Sequence, residues 1–308
     1  MSADTEFPQK SILITGGSGF IAPHLLMGLG AERNVILHIR DPQKAKKIES
    51  RPGLRIISGP LTNESLIGQI PESCEAVFHL AGAVSGANTE AILHSNVVST
   101  YNILSLMKRK QTPKLIFMST ASVWSDSSGT RINEQVTPRP STLYGYAKLT
   151  AECLIQDAIT QGQLSSAVIL RGNSTYGPGS TQGAIANFYS CLANGRPVRI
   201  DGDGQQIREP LYVTDLVDVL VKSLFVNKGL QIYGISGDES LTVLQMAEAM
   251  ARIIDRKLTI DWGPARADRN RHLLIDTGKA QRELGWTPRI RFEEGGQLLF
   301  KSITSDLR

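Results

Sequence analysis

The most constraining feature of the chain is a glycine-rich run that directly follows its first apolar segment. Residues 12–14 are a short apolar run of the kind found in buried parallel strands. Glycines follow at once, and apolar residues then recur at helical spacing, which predicts a strand, a tight turn and a helix. The free backbone N–H groups at such a helix start attract a phosphate. The spacing Gly17-x-Gly19-x-x-Ala22 matches the dinucleotide-binding fingerprint, for which an ordinary glycine-rich turn is the alternative.

Further apolar segments alternate with helical patterns through the first half of the chain. The predicted strands cover residues 35–39, 54–57, 76–81, 114–119 and 166–170. Helical patterns lie between them, for example at residues 96–109 and 144–158. This alternation predicts an α/β fold, a doubly wound parallel sheet with helices on both faces.

The alternation weakens after residue 171, which predicts a second, smaller lobe. Helical patterns recur at residues 181–195, 216–225 and 242–254, and residues 201–204 have the composition of a hairpin tip. We therefore predict a dinucleotide-binding domain at residues 1–171 that also receives parts of 205–235. The smaller α/β substrate-binding lobe is predicted at residues 172–308, with a ligand cleft at the carboxyl ends of the strands.

Size and composition restrict the class of protein further. The 308 residues are 41% hydrophobic and 20% charged, which is ordinary for a globular protein. A dispersed net charge of +4 argues against nucleic acid as a partner. No run is apolar and long enough to span a bilayer, and residues 1–10 lack a signal segment. Three scattered cysteines and five histidines show no metal-ligand spacing, so we expect a cytoplasmic protein with reduced thiols and no metal.

A tyrosine and a lysine four residues apart are the strongest catalytic candidates. Tyr144 and Lys148 lie on one face of a predicted helix. A phenol with a pKa near 10 must drop roughly three units, or about 4 kcal/mol, to act as a base at neutral pH. A lysine ammonium about 4 Å away, at an effective dielectric constant of about 20, supplies that energy. A chance surface pair is the alternative, but the position after the fifth predicted strand favours an acid/base pair.

Together these motifs resemble the extended short-chain dehydrogenases/reductases, specifically the nucleotide-sugar epimerase/dehydratase group. The resemblance extends over almost the whole chain, because the motifs occur in the family's order. They are residues 15–24, 79–82, Asn96 with Thr100 and Asn102, 119–123, Tyr144 with Lys148, Arg171 with 176–179, Arg208 before 211–215, 266–268, 276–280 and 284–288.

The resemblance implies a Rossmann-type fold and a role for each matching residue. Tyr144 would exchange a proton with a sugar hydroxyl or ketone, Lys148 would lower the Tyr144 pKa and hold the nicotinamide ribose, and Thr120 would orient the substrate oxygen. Cofactor contacts are implied at Gly16, Gly19, Phe20, Ile21, Arg40, Leu80, Ala81 and Gly82, besides Tyr144 and Lys148. Substrate contacts are implied at Ser122, Ser174, Arg208 and Arg266. The resemblance also implies a homodimer formed through helices at residues 96–109 and 144–158.

One departure from the family pattern bears on the cofactor. The second predicted strand ends in Arg40-Asp41, where NAD-dependent members present an acid to the adenosine ribose. A guanidinium can stack on adenine and bind a 2′-phosphate at two points, so Arg40 favours NADP. The alternative is NAD, with an exposed Arg40 and the ribose held by Asp41.

Other departures bear on the reaction. Thr120 is followed by Ala121 and Ser122, whereas sugar 4,6-dehydratases of this family place Asp-Glu there as acid and base, so elimination is disfavoured. Ser174 stands where the family has Asn, and Pro60 where it often has an Asp that meets adenine. Both changes weaken the corresponding contacts.

Several functions therefore remain open. The leading hypothesis is hydride transfer at a carbon of a nucleotide-activated sugar, most simply C4. A reductase would consume NADPH, which Arg40 favours, whereas an epimerase would return the hydride to the other face and keep its cofactor. A reductase of a non-sugar carbonyl, such as a flavonoid or sterol, and a catalytically silent dinucleotide sensor are the alternatives.

Overall fold

The structure, a computed structural model, describes residues 10–46, 48, 50–60, 62, 64–72, 74–83, 87–125, 131–227, 229–264 and 272–305. The chain divides into two compact units. The first comprises Met1–Thr120, Thr142–Leu170 and Leu220–Tyr233, and the second Ala121–Ser141, Arg171–Val219 and Gly234–Arg308. Each unit is therefore built from three separate stretches of chain.

The strands, in chain order, are β1 (Ile12–Thr15), β2 (Val35–Ile39), β3 (Leu54–Ser58), β4 (Ala76–His79), β5 (Lys114–Thr120), β6 (Ser166–Gly172), β7 (Thr175–Tyr176), β8 (Val198–Asp201), β9 (Ile207–Arg208), β10 (Leu211–Tyr212), β11 (Gly229–Ile235), β12 (Leu241–Thr242) and β13 (Ile260–Gly263).

The helices are α1 (Ile21–Leu29), α2 (Pro42–Ala45), α3 (Glu64–Ile67), α4 (Thr89–Leu93), α5 (Ser99–Arg109), α6 (Leu143–Thr160), α7 (Ala184–Ala193), α8 (Val213–Ser223), α9 (Val243–Ile254), α10 (Gly278–Leu284) and α11 (Phe292–Ser305). A π-helical turn (His94–Val98) precedes α5, and a 3₁₀ turn (Ala121–Trp124) follows β5. Among the described residues, no helix combines the length and apolar character needed to cross a bilayer.

A seven-stranded sheet with the order β11-β6-β5-β4-β1-β2-β3 is the centre of the first unit. β1 pairs in parallel with both β2 and β4, so the strand order reverses at β1. This reversal is the switch point of a doubly wound sheet, beside which such folds bind ligands. The predicted Rossmann-type fold is confirmed, and β2 has the predicted bounds because its five residues are all buried.

The sheet is covered by apolar side chains of the helices that follow β4 and β5. One core cluster joins Leu13, Val77 and Leu115 of the strands to Ile103 of α5 and Ile155 of α6, all at most 1% exposed. Burying each such side chain contributes about 1.5–3 kcal/mol, so this layer fixes α5 and α6 on the sheet. α6 carries Tyr144 and Lys148, and its position is therefore set by packing.

The second unit contains three two-stranded sheets: β7 with β10, β9 with β12, and β8 with β13. The hairpin predicted around residues 201–204 is wrong. Gly202 and Gly204 do turn the chain, with φ of +74° and +70°. However, β8 pairs in parallel with β13 from much later in the chain, and β9 pairs with β12.

The tail motif at residues 284–288 anchors the second unit. Trp286 is fully buried, and its indole N–H donates to the Asp215 carbonyl oxygen at 2.9 Å. The Asp215 carboxylate accepts the backbone N–H groups of Arg289 and Ile290 at 3.0 and 2.9 Å. The motif therefore satisfies the buried polar groups at the start of α8.

Candidate active site

The glycine turn between β1 and α1 has the geometry of a phosphate cradle. Gly16 has a φ of +76°, and a Cβ atom there would lie 2.7 Å from the Ala81 backbone nitrogen. The Gly19 N–H donates to the Gly16 carbonyl oxygen at 2.9 Å. α1 then begins at Ile21 with no acidic residue in its first turn and no side-chain cap from Phe20. These features fit the pyrophosphate of a dinucleotide, which needs close backbone approach and a positive helix start.

Buried side chains behind this turn form a hydrogen-bonded chain whose protons can be assigned. The Thr100 hydroxyl donates to the Asn96 carbonyl oxygen at 2.6 Å. His79 Nε2, 3.1 Å from Thr100 Oγ1, therefore carries a proton and donates it. His79 Nδ1 then accepts the Thr15 hydroxyl at 2.7 Å. Thr15 Oγ1 in turn accepts the Ala81 N–H at 3.3 Å, which holds the loop of Leu80, Ala81 and Gly82 against β1.

The same burial keeps His79 neutral. Desolvation lowers the pKa of His79 to about 3, and the positive charge of Lys148 adds to the lowering. In the unfolded chain a histidine has a pKa of about 6.5, so between these values the unfolded state binds more protons. The resulting stability is complete above about pH 6.5 and decreases as the pH falls towards 3, by up to about 1.4 kcal/mol per pH unit.

A His79→Gln variant is expected to be less stable than the wild type at pH 7 but less sensitive to acid. Between pH 6.5 and 4.5 the wild type should lose about 2–3 kcal/mol more of its unfolding free energy, because glutamine has no proton to gain. Urea unfolding at several pH values measures the difference. Burial also lowers the pKa of His38. Since His38 is present in both proteins, it contributes equally to both pH dependences. Parallel pH dependences would contradict the assignment.

The loop after β4 lies beside Lys148. A Cβ atom on Gly82 would lie 2.7 Å from Asn96 Oδ1 and 3.2 Å from Lys148 Nζ, so glycine is required here. Asn96, in the π-helical turn, donates from Nδ2 to the carbonyl oxygens of Ala83 and Ile92 at 3.0 and 2.9 Å. Its Oδ1 is buried without a hydrogen-bond partner among the described residues. The cofactor loop and the candidate catalytic lysine are thus brought together in the first unit.

Tyr144 lies in the first turn of α6, and its phenol hydrogen-bonds Thr120 at the end of β5. The helix starts here because the Thr142 side chain accepts the Gly145 N–H at 3.1 Å. Burial raises the pKa of Tyr144, and the Thr120 hydrogen bond opposes this rise. The phenol is therefore protonated at neutral pH and able to donate a proton.

The expected lowering of the Tyr144 pKa by Lys148 stays a prediction, because burial and Thr120 are what act on the phenol in this structure. The ammonium is buried and donates instead to the Met118 carbonyl oxygen at 2.9 Å. Desolvation lowers the pKa of Lys148 to about 8, while Glu152 raises it. For Tyr144, the desolvation of the phenol is the larger effect.

Arg40 follows β2, and its guanidinium donates to Ser95 Oγ at 3.2 Å while remaining exposed. The next residue, Asp41, caps α2 by accepting the Gln43 N–H at 2.9 Å. Asp41, the alternative that would hold the ribose of NAD, therefore already uses one carboxylate oxygen in local structure.

The second unit has a pocket of about 500 Å³ whose walls include Ser174 and Arg208. Ser174 adopts a φ of +40°, a conformation that costs a serine energy and that occurs at ligand sites. Arg199, on the same wall, pairs with Asp201 at 3.3 Å and with Asp261 at 2.7 Å. The pocket thus presents the Arg208 guanidinium, a group of the kind that binds phosphates, whereas Arg199 is already paired with two carboxylates, of which Asp201 also lines the pocket.

The resemblance implies two further substrate contacts, Ser122 and Arg266. Ser122 lies in the 3₁₀ turn of the second unit and does not line this pocket. Arg266 lies outside the described residues.

A family model described as "NAD dependent epimerase/dehydratase family" matches residues 12–234. The chain belongs to this family. Its members include the UDP-glucuronic acid decarboxylase 1 of Arabidopsis thaliana, which is 30% identical over 301 residues, covering 92% of this chain and 67% of that protein. The dTDP-D-glucose 4,6-dehydratase of Bos taurus is 26% identical over 308 residues, covering 93% and 86%.

Solved structures share the fold over nearly the whole chain. MoeE5 in complex with UDP-glucuronic acid and NAD superposes with a TM-score of 0.88 at 28% identity, covering 96% of this chain and 99% of that one. The UDP-glucose 4-epimerase of Thermotoga maritima superposes with a TM-score of 0.87 at 24% identity, covering 97% and 100%. The predicted family is confirmed, and the protein is an NAD(P)-dependent enzyme of the epimerase/dehydratase family.

The sequence analysis did not identify two features of the candidate site. Glu152 and Ser119 form a buried pair beside Lys148, and Arg199 lines the pocket of the second unit. The position of Glu152, four residues after Lys148 on the same helix, was the available signal. Nothing local marks Arg199, because its place depends on the pairing of β8 with β13.

Proposed function

We propose that the protein transfers hydride at C4 of a nucleoside diphosphate sugar without eliminating water. The observation that carries the proposal is the arrangement of Thr120, Tyr144 and Lys148 beside the loop at Gly82. Ala121 and Ser122, which follow Thr120, supply no carboxylate for the elimination that a 4,6-dehydratase performs. The relatives' names, which include a UDP-glucose 4-epimerase, support a nucleotide sugar as the substrate class.

The cofactor and the side chains have separate roles in the proposed reaction. The bound nicotinamide would accept hydride from the sugar carbon or donate hydride to it. Tyr144, protonated in this structure, gives its proton to a carbonyl oxygen in the reductive direction and recovers it in the oxidative one. The Thr120 hydroxyl orients the reacting oxygen, and the Lys148 ammonium favours the ionised phenol when it forms.

We further propose that the cofactor lies in the first unit and the nucleotide diphosphate in the pocket of the second. Gly16, Gly19 and the start of α1 would hold the cofactor pyrophosphate. Arg208, with Ser174, would bind the substrate diphosphate. Such a pocket disfavours a flavonoid or sterol, which carries no phosphate. Arg266 remains a proposed further diphosphate contact.

Arg208→Ala is expected to weaken the binding of UDP or dTDP by about 10- to 100-fold, because a charge-assisted hydrogen bond is worth about 1.5–3 kcal/mol. Isothermal titration with each nucleotide measures the loss. Arg252→Ala is the control, since Arg252 is exposed on α9 of the same unit and does not line the pocket. Unchanged affinity in Arg208→Ala would count against a nucleotide sugar.

For the cofactor we propose NADP, on the strength of Arg40 and of the engagement of Asp41 in capping α2. A 2′-phosphate would gain a two-point contact with the guanidinium, whereas one oxygen of the Asp41 carboxylate already accepts the Gln43 N–H. The relatives solved with NAD support NAD as the competing choice.

Arg40→Ala should therefore lower NADPH affinity by about 10- to 100-fold and leave NADH affinity within about twofold. Fluorescence titration with both cofactors gives the two values. Arg33→Ala is the matched control, because Arg33 is in the same unit but pairs with Glu75. Equal losses for the two cofactors, or no loss, would remove the argument for NADP.

Reductase and epimerase are distinguished by what the purified protein carries. A retained NAD in the native mass spectrum, with interconversion of UDP-sugar C4 epimers, would establish an epimerase. An empty site, tighter binding of NADPH than NADH, and stoichiometric NADPH consumption would establish a reductase. Failure of every UDP and dTDP sugar to react would contradict the proposed function.

We also propose a homodimer formed through α5 and α6, which pack against each other. Tyr101 and Tyr146 on these helices are 60% and 56% exposed, so each helix presents an aromatic ring that a second copy of the chain could cover. Tyr101→Glu should convert the dimer to a monomer in sedimentation velocity. Phe225→Glu, which changes an aromatic residue that is 71% exposed elsewhere in the first unit, should not.

A cytoplasmic location is proposed from the thiols. Cys74, Cys153 and Cys191 are free, and Cys153 is exposed. Free exposed thiols persist in reducing compartments, whereas oxidising compartments favour disulfides.

A further inference from the structure

We propose that Glu152 is a positioning residue that, with Ser119, holds Lys148 in its charged and oriented form. The inference rests on the proposed function only in that Lys148 serves the hydride-transfer site. It concerns a buried carboxylate and a hydroxyl to which the proposed mechanism gives no role.

Three consecutive residues of β5 each bind a different residue on one face of α6. The Met118 carbonyl oxygen accepts from Lys148 Nζ at 2.9 Å. The Ser119 hydroxyl donates to Glu152 Oε1 at 2.5 Å. The Thr120 side chain hydrogen-bonds the Tyr144 phenol.

The helical partners have the spacing i, i+4 and i+8, so they form one stripe along α6. The strand and the helix are thereby locked in one register. A slip at Ser119–Glu152 would displace both the lysine and the tyrosine from the strand.

Glu152 also supplies a negative charge that favours the charged form of the buried Lys148 ammonium. Lys148 is 5% exposed and Glu152 4% exposed, so both are removed from water. Lys148 Nζ lies 4.7 Å above the Phe117 ring, which offers only a weak attraction. Burial lowers the pKa of Lys148, and the charge of Glu152 raises it back to about 8.

The other titratable groups around Lys148 cannot replace this charge. Tyr144, on the same helix, has a raised pKa and is neutral at neutral pH. His79 on β4 has a lowered pKa, is neutral as well, and would repel the ammonium if protonated. β5 contributes a carbonyl oxygen and an aromatic ring but no charged side chain in contact with Lys148. Glu152, one helical turn from Lys148 on the same face of α6, is therefore the carboxylate whose charge raises the Lys148 pKa.

A direct readout of Lys148 tests the inference without turnover. The protein is labelled with ¹³Cε-lysine, and the Lys148 resonance is assigned by its loss in Lys148→Met. Its titration midpoint, about 8 in the wild type, should fall by about one to two pH units in Glu152→Gln. Ser119→Ala, which leaves the carboxylate but removes its hydrogen bond from Ser119, should lower the midpoint by less. Asp157→Asn, an exposed carboxylate on the same helix, is the control and should leave it unchanged.

Activity and folding give the second arm. In Glu152→Gln, kcat should fall about 10-fold or more at pH 8 and recover towards wild type near pH 6.5, with KM within about twofold. Glu152→Asp should restore part of the loss. Thermal unfolding and NADPH titration confirm that each variant is folded.

Two results would contradict the proposed role of Glu152. A Lys148 midpoint in Glu152→Gln within about 0.3 pH unit of the wild type would overturn the inference, and so would a pH-independent loss of kcat. Failure of the proposed function would appear instead as absence of turnover in the wild type, with the Lys148 titration still readable.

Discussion

Tyr144→Phe is expected to lower kcat by about 10²- to 10⁴-fold, because it removes the hydroxyl that exchanges a proton with the reacting oxygen. The aromatic ring that packs at the start of α6 is kept, and so is the Thr142 cap of the helix. The affinity for NADPH should therefore stay within about threefold of wild type, since the cofactor cradle at Gly16 does not depend on the phenol. Turnover of a UDP or dTDP sugar and fluorescence titration of the cofactor measure the two quantities.

Tyr146→Phe is the matched control for this variant. Its hydroxyl belongs to the same helix two residues further on, but the side chain is 56% exposed and faces away from Lys148. It should keep wild-type kcat. Retention of more than about a tenth of the activity in Tyr144→Phe would exclude Tyr144 as the acid/base. An unchanged biological phenotype in that variant would favour the dinucleotide sensor over the enzyme.

Gly16→Ala is expected to have the second largest effect, on cofactor binding and on stability together. An L-residue at a φ of +76° costs about 1–2 kcal/mol, and a Cβ atom 2.7 Å from the Ala81 backbone nitrogen must displace the loop after β4. Together these should reduce the unfolding free energy by about 2–4 kcal/mol. NADPH affinity should fall by more than about 100-fold, because displacing the loop after β4 distorts the turn that would hold the pyrophosphate.

Gly162→Ala separates the conformational cost from the steric one. Gly162 has a φ of +68°, but nothing lies within 4 Å of a Cβ atom placed there. Its alanine variant should lose only about 1–2 kcal/mol and keep full cofactor affinity. Urea unfolding of the two variants and cofactor titration provide the comparison. Gly16→Ala with NADPH affinity equal to that of Gly162→Ala would show that the turn is an ordinary one.

Much of the first unit was predictable because its signals are local. β2 is a continuous apolar run that is buried throughout, so the sequence predicts both of its ends. The helix predicted for residues 96–109 is instead a π-helical turn followed by α5. Both bulged and regular helices share the same apolar spacing, so sequence periodicity could not separate them. β4 ends at His79, two residues early, because Leu80 and Ala81 leave the sheet for the cofactor loop.

The remaining differences come from contacts distant in sequence. The partner of β8 is β13, some sixty residues further on, and no turn signal can announce such a pairing. Likewise, the spacing of Tyr144 and Lys148 predicts their shared face but not the carbonyl oxygen of Met118 that takes the ammonium. Burial sets the direction of the Tyr144 pKa, and the spacing alone does not predict how deeply the phenol is buried.

The division of the chain into interleaved units limits how the enzyme can be cut into stable fragments. The polypeptide passes from one unit to the other five times, so no single cut releases either unit whole. A fragment that ends at residue 171 would lack β11 and leave β6, whose residues are all buried, as the uncovered edge of the sheet. Such an apolar edge recruits strands from other molecules. The two units must therefore be made and folded as one chain, and neither can be exchanged with that of a relative by a single crossover.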